Sequence, residues 1–453
     1  MNITTVVRGF LIAGIALSFE CLAEEPATTE NAVPMDLQAL ALELQQEVTE
    51  LRGLPFKRTV LAEVQPPEAF EEFLDDRITE VMPEAVDTDY GAIVKRLGLY
   101  RGTLADFRGT AKNVMSSQAA AYYDPKAEKF LVLWQDMPPL MRNMMYSHEL
   151  YHGLQDQYFD LESYLPTSVE GGFALDSDQI LARQAVVEGE ATYIMNMWMI
   201  RQMTQQMPSR ESMELVVRMQ SQMDMDKLKA MIKQANVPEL SSANMDAALQ
   251  ATESIPYFLM ETLIGAYLKG MSFVFAVQGG GWTEVEKLYT EYPPQSTEQI
   301  LHPEKWRSRE APASIAWPPF ARVRQLKDWD LLVSDVIGEF QWRVIFNEQG
   351  LRDDAEAAAA GWDGGRYAVF KHKDSGETLL LLRTSWDSAA QAEEFAAAYR
   401  RLLVNKYADA PEPTRVIQKG EDVFIVEGGK EKDIDALVKV VRNAKKTKAR
   451  SPS

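Results

Sequence analysis

The sequence predicts an α+β fold: a mainly helical part with a small mixed sheet, followed by a small α+β C-terminal domain. Three observations carry this. Apolar residues recur at helical spacing over 37–52, 68–82, 139–159, 179–234 and 256–278. Two apolar runs, "RTVLAEV" at 58–64 and "AAAYYDPKAEKFLVLW" at 119–134, read as a strand and a hairpin. Beyond "WPPF" at 317–320 the pattern changes to strand–turn–strand and then helix. At 453 residues and 46% hydrophobic content, the chain is long enough for two or more cores.

The elements follow in order. "MNITTVVRGFLIAGIALSFECLAEE" has one positive charge, Arg8, then an apolar run from Phe10 to Phe19. That pattern is a secretory signal peptide over 1–23, cleaved after Ala23, and it is too short to cross about 30 Å of hydrocarbon. The expectation is a secreted, periplasmic protein. The rival is a lipid anchor at Cys21, disfavoured because Glu20 precedes it where a small residue is needed. Residues 24–57 form a polar linker and an amphipathic helix. The hairpin at 119–134 turns at Asp124-Pro125. Asp136 and Pro138-Pro139 open the next helix, and 160–178 reads as a loop. The helical region from 179 to 234 breaks at Pro208. Gly279-Gly280-Gly281 ends the helix at 256–278, and "WTEVEKLYTEY" adds a short one.

In the last part, strands flank Asp374-Ser375-Gly376, and a helix follows with Asp387 as N-cap. "DVFIVEGG" and "DIDALVKVVRNA" supply another strand and helix. The expected boundaries are 58–320 for the larger domain, 325–445 for the smaller and 446–453 for a basic, frayed tail. No segment after the leader reads as long and apolar enough to span a membrane. The net charge of −20 argues against a nucleic-acid partner.

The chain has four histidines, and two fall in His148-Glu149-Leu150-Tyr151-His152, an H-E-x-x-H pattern inside a helix. Residues i and i+4 share a helix face, so both imidazoles reach one tetrahedral ion at about 2.0–2.1 Å. Glu149 sits beside them and is placed to act as general base on a water that a zinc ion acidifies. Catalytic zinc needs a third protein ligand, and "AVVEGEATYIM" at 185–195 offers Glu188 and Glu190. His302, in a Pro-flanked loop, and His372, beside a turn, read as exposed or locally bonded. Asp156 is a candidate to support His152, or an exposed helix acid.

HELYH together with EGEATY resembles the gluzincin metallopeptidases, whose aminopeptidase branch opens an E-G-x-A-x-Y pattern with the zinc-binding glutamate. Glu188, Gly189, Ala191 and Tyr193 match it, so the resemblance selects Glu188 over Glu190. A Y-x-K-G pattern of the same branch matches Tyr267, Lys269 and Gly270, which makes Tyr267 the donor to the developing oxyanion. The resemblance implies a zincin-like catalytic domain, with the 119–134 hairpin as the edge that takes up a substrate strand. Two features depart from it. The gap from His152 to Glu188 is long, which the loop at 160–178 is expected to absorb. The G-x-M-E-N sequence that captures a free amino end is missing, which counts against an aminopeptidase. The chain also resembles an uncharacterised group of secreted bacterial proteins through HELYHGLQDQYFD, VEGEA, "PPQSTEQILHPEKW" and "AAGWDGGRY".

The resulting expectation is a secreted zinc-dependent metallopeptidase: Zn²⁺ on His148, His152 and Glu188, Glu149 as base, Tyr267 at the oxyanion, and a peptide or protein as substrate. Two other readings compete. Ten of the 21 methionines fall in 195–231, and thioethers suit Cu(I), so a metal-handling protein is an alternative. The other is a catalytically silent zinc-binding scaffold.

Overall fold

The computed structural model describes residues 36–81, 87–101, 109, 112, 120–133, 138–166, 175–222 and 257–448. The signal peptide with Cys21, Asp136, the stretch 223–256 with Met223, Met225 and Met231, and the last five residues lie outside them.

The fold is α+β. The N-terminal helix, Leu37–Arg52, starts on the Asp36 side chain, which accepts from the Ala39 N–H at 3.0 Å. It ends at Gly53, whose φ of 77° is open to glycine at little cost. Its apolar stripe, with Leu44, Val48 and Leu51, packs into the helical core. Strands β1 (Leu61–Val64), β2 (Ala121–Asp124) and β3 (Lys129–Val132) form the small mixed sheet. Its order is β1-β3-β2, with β1 parallel and β2 antiparallel to β3. The 58–64 run and the hairpin therefore pair with each other, and among the described residues β2 is an edge strand.

Three long helices come next. We call them the histidine helix (Pro139–Phe159), the glutamate helix (Ser177–Thr204) and the apolar helix (Tyr257–Gln278). Asp160, at φ 49°, stops the histidine helix and caps a short turn of helix, Leu161–Tyr164, inside the expected loop. Asp176 and Gln179 form a reciprocal capping box that starts the glutamate helix. The apolar helix corrects an expectation. It has 22 residues, and its most apolar 18-residue window has a mean hydropathy of 1.3, enough to cross a membrane by length and composition, yet 76% of that window is buried inside the fold. A helix apolar on all sides is accounted for here by neighbours on all sides.

Small residues set its depth. A Cβ on Gly189 would lie 2.1 Å from the carbonyl carbon of Gly270, and one on Gly270 would lie 1.9 Å from the oxygen of Ala185. The glutamate and apolar helices thus cross backbone to backbone. Gly265 of the apolar helix faces the ring of Phe340 in the same way, which joins the helical part to the C-terminal part.

That C-terminal part follows a two-stranded pair of β4 (Ser314–Ala316) with the last strand. It is built on β5 (Trp329–Asp335), β6 (Trp362–His372), β7 (Thr378–Trp386), β8 (Thr414–Lys419) and β9 (Asp422–Glu427). The five form an antiparallel sheet in the order β5-β6-β7-β9-β8. The helices Glu339–Glu348 and Ala389–Lys406 pack Trp342, Phe346, Phe395 and Tyr399 with Trp386 of β7. Two local expectations are corrected. Ser388, not Asp387, caps the 389–406 helix by accepting from the Gln391 N–H; Asp387 instead takes an ion pair from Lys305 at 2.6 Å. The basic tail expected to be frayed over 446–453 is ordered in its described residues: β10 (Lys445–Thr447) pairs antiparallel with β4, and Lys448 lies 2.9 Å from Asp363.

Candidate metal centre

Helical spacing puts His148 and His152 on one face, one turn apart. Gly153 lets this helix lie against the small sheet, since a Cβ there would meet Val60 at 2.9 Å and the Tyr123 ring at 3.2 Å. The glutamate helix brings Glu188 to the same point. His148 Nε2 lies 3.1 Å from His152 Nε2 and 3.2 Å from Glu188 Oε2, and His152 Nε2 lies 3.5 Å from that oxygen. A tetrahedral ion with ligands at about 2.0–2.1 Å spaces them about 3.3 Å apart. The donor set, two imidazoles and one carboxylate, therefore fits one metal ion. The long gap to Glu188 is no obstacle to this meeting.

The surroundings agree. All three side chains are buried, at 2%, 4% and 1% exposure. Glu188 Oε1 and His148 Nδ1 have no hydrogen-bond partner among the described residues, a costly state for buried polar atoms. Burial would raise the Glu188 carboxyl, but the two imidazoles outweigh it and hold it down to about 2. Burial pulls His148 down. It also pulls on His152, yet Glu188 and Glu149 win there and lift it to about 9. A metal cation held there would require His152 to give up that proton.

Glu149 is buried beside the triad, and its Oε2 accepts the Tyr123 N–H of edge strand β2 at 3.2 Å. Burial pushes its carboxyl up to about 8. The Tyr267 ring of the apolar helix stacks beside His148, with centroids 5.7 Å apart and 21° between planes. The three segments that carry the sequence patterns thus meet at one place. The remaining motif residues do structural work: Gly189 and Gly270 form the helix crossing, and Lys269 donates to the Ser221 carbonyl at 3.0 Å.

Glu190 faces away from the triad. It accepts from Arg52 Nε at 2.9 Å, Tyr289 Oη at 2.6 Å and Gln155 Nε2 at 3.2 Å. The partner of His152 Nδ1 is Gln155 Oε1 at 2.8 Å. Asp156 neither supports His152 nor stands exposed: it accepts from Tyr123 Oη at 2.8 Å and the Leu161 N–H at 3.0 Å. Sequence reasoning missed Gln155, although it lies one helical turn after His152 on the same face. It also missed Arg52, for which no local signal exists.

The other histidines are bonded elsewhere. His302 Nε2 lies 3.0 Å from Glu339 Oε2, and His372 Nδ1 accepts the Ser375 N–H at 3.3 Å. A second acidic group, Glu310, Asp363 and Asp387, already has cations: Lys305 reaches Asp387 and Glu310 at 2.6 and 2.9 Å, and Lys448 reaches Asp363 at 2.9 Å. Of the described methionines, Met197 and Met213 sit in the helical core while Met203, Met207 and Met219 are exposed.

A family model described as a domain of unknown function (DUF8575) matches residues 328–438. That stretch holds the five-stranded sheet and none of the triad. No curated protein and no solved structure matches the chain.

Proposed function

We propose that this protein is a zinc-dependent peptidase that hydrolyses peptide bonds of a peptide or protein substrate outside the cytoplasm. The observation that carries the reading is the triad with a free-standing acid beside it. Three ligand atoms are spaced for one ion, and Glu149, adjacent in sequence, is turned to strand β2 and is not one of the three. A structural zinc site needs no such base. Zinc held by the triad supplies acidity to a water and polarises a carbonyl.

The chain's own groups do the rest. Glu149 takes a proton from the attacking water and passes it to the leaving amine. The Tyr123 N–H fixes the carboxylate that does so. Tyr267, a neutral donor next to His148, steadies negative charge on the carbonyl oxygen. Strand β2, at the sheet edge beside the histidine helix, is the element that lines up an extended substrate.

The test compares metal content and turnover of a peptide library. Wild type is expected to hold one zinc and cleave. Glu149→Gln keeps the zinc and loses roughly 10²–10⁴-fold in rate, and Glu188→Gln loses the zinc. Equal silence of wild type and Glu149→Gln across many substrates would sink the reading. So would several copper ions per chain that survive Glu188→Gln.

A further inference from the structure

Glu190 is buried and paired with Arg52, two residues from Glu188, and is not one of the three grouped ligand residues. The geometry assigns it, with Arg52 and Gln155, a positioning role toward His152. This rests on the metal-centre reading above.

The chain of contacts has a direction. The side-chain nitrogen of Gln155 faces three acceptors: the Val187 carbonyl at 3.0 Å, Glu190 Oε2 at 3.2 Å and Tyr289 Oη at 2.8 Å. Neither the carbonyl nor the carboxylate can donate, so the amide NH₂ must point to them. The amide oxygen of Gln155 then has one orientation left, toward His152 Nδ1 at 2.8 Å. An oxygen that only accepts requires a hydrogen on Nδ1. His152 must therefore present Nε2 to the centre, the atom that lies 3.1 Å from His148 Nε2. A ring oriented in this way by its other nitrogen is a better metal ligand.

Glu190 is held in turn. Arg52 Nε donates to it at 2.9 Å, Tyr289 Oη donates at 2.6 Å, and the guanidinium lies 4.2 Å over the Trp282 ring. Arg52 and Glu190 are 1% and 0% exposed. The last residue of the N-terminal helix thus reaches the centre through two intermediaries, and the order is Arg52, Glu190, Gln155, His152. A buried ion pair that only fastened two helices would have no reason to engage Gln155.

The test measures zinc affinity by competition with a chelator, and follows the histidine ring N–H signals of the zinc-loaded protein by nuclear magnetic resonance. Loaded wild type is expected to show His152 bound through Nε2, with a slowly exchanging Nδ1–H. Gln155→Met, similar in volume but unable to accept, binds zinc roughly 10–100-fold more weakly and loses that protected signal. The neutral double variant Arg52→Met/Glu190→Gln weakens zinc in the same direction by a smaller factor. A folded Gln155→Met that binds zinc as tightly as wild type overturns the relay, as does a wild-type His152 bound through Nδ1. If Gln155→Met does not fold, the wild-type resonance decides alone. A wild type that holds zinc in this way but cleaves nothing removes the peptidase reading and leaves the relay standing. A wild type that holds no zinc overturns both.

Discussion

Buried charge is used in opposite ways in the two parts of the molecule. In the C-terminal sheet, Glu427 is 0% exposed and closed on every side. Lys406 reaches it at 2.6 Å, Tyr407 Oη donates at 2.6 Å, and the Tyr399 hydroxyl donates as well. Burial would raise its carboxyl, but Lys406 and Arg96 hold it below the ordinary range. Among the helices, Glu188 is equally buried, yet its neighbours are two imidazoles whose nitrogens point at the same spot. One of its oxygens has no hydrogen-bond partner among the described residues. A closed network holds a fold together. A convergent, open one is completed only by a cation. The lysine-filled group at Glu310 belongs with the first kind, although it too brings three ligand-type side chains together, here all carboxyls.

This contrast can be broken by substitution. Glu427→Ala leaves the Lys406 ammonium without its buried carboxylate and should cost about 3–5 kcal/mol in urea unfolding, with zinc affinity unchanged. A shift in zinc affinity would show that the two networks are coupled. In the helical part, the proposed partner of the buried triad is a metal ion. Zinc at a hundredfold its Kd should raise the unfolding free energy of wild type by about 2.7 kcal/mol and leave Glu188→Gln unmoved. Equal stabilisation of both proteins would place the ion elsewhere.

The helix crossing gives a smaller effect. Gly189→Ala puts a methyl into the Gly270 backbone and should cost about 1–3 kcal/mol, and by moving Glu188 it should weaken zinc as well. If stability falls while zinc binding holds, the crossing does not position the ligand.

The seam between the parts gives an effect that is small at any one pH step. Asp178 of the glutamate helix accepts from the Thr297 N–H at 3.2 Å and sits against Gly338 of the C-terminal part. Burial pushes its carboxyl up to about 8. Between about pH 4, where the unfolded carboxyl ionises, and pH 8, the folded protein keeps a proton that the unfolded chain has lost. Stability is full at the acid end of that window and falls as pH rises. Asp178→Asn should flatten the fall by up to about 1.4 kcal/mol per pH unit, measured as the unfolding free energy at pH 5, 6 and 7. An unchanged slope would mean the carboxyl is already ionised in the fold.

Much of this was legible in the sequence because it is periodic. The spacing of four between His148 and His152 has one meaning on a helix. The apolar recurrences marked the helices at 37–52 and 139–159, and the apolar runs on either side of Asp374-Ser375-Gly376 marked β6 and β7. Choosing Glu188 over Glu190 needed a resemblance, since both carboxylates sit on one helix with no local difference between them. What separates them is Arg52, distant in sequence, which occupies Glu190. The N-cap at Ser388 could not be told from Asp387, because both are good caps and an ion pair with Lys305 decides between them. The apolar helix was under-read: it is long and apolar enough to cross a membrane, a composition that a core helix shares, and its neighbours in the fold bury most of it.

By itself, then, the sequence determined the helices, the mixed α+β class, and a face carrying two imidazoles with an acid beside them. These depend on residues within a turn of one another, and local periodicity encodes them. The tertiary structure alone decided which glutamate meets the histidines and which amide orients His152. It also decided how closely Gly189 and Gly270 bring the helices together. Those choices depend on groups far apart in the chain that compete for one buried space, and no local pattern records the outcome of that competition.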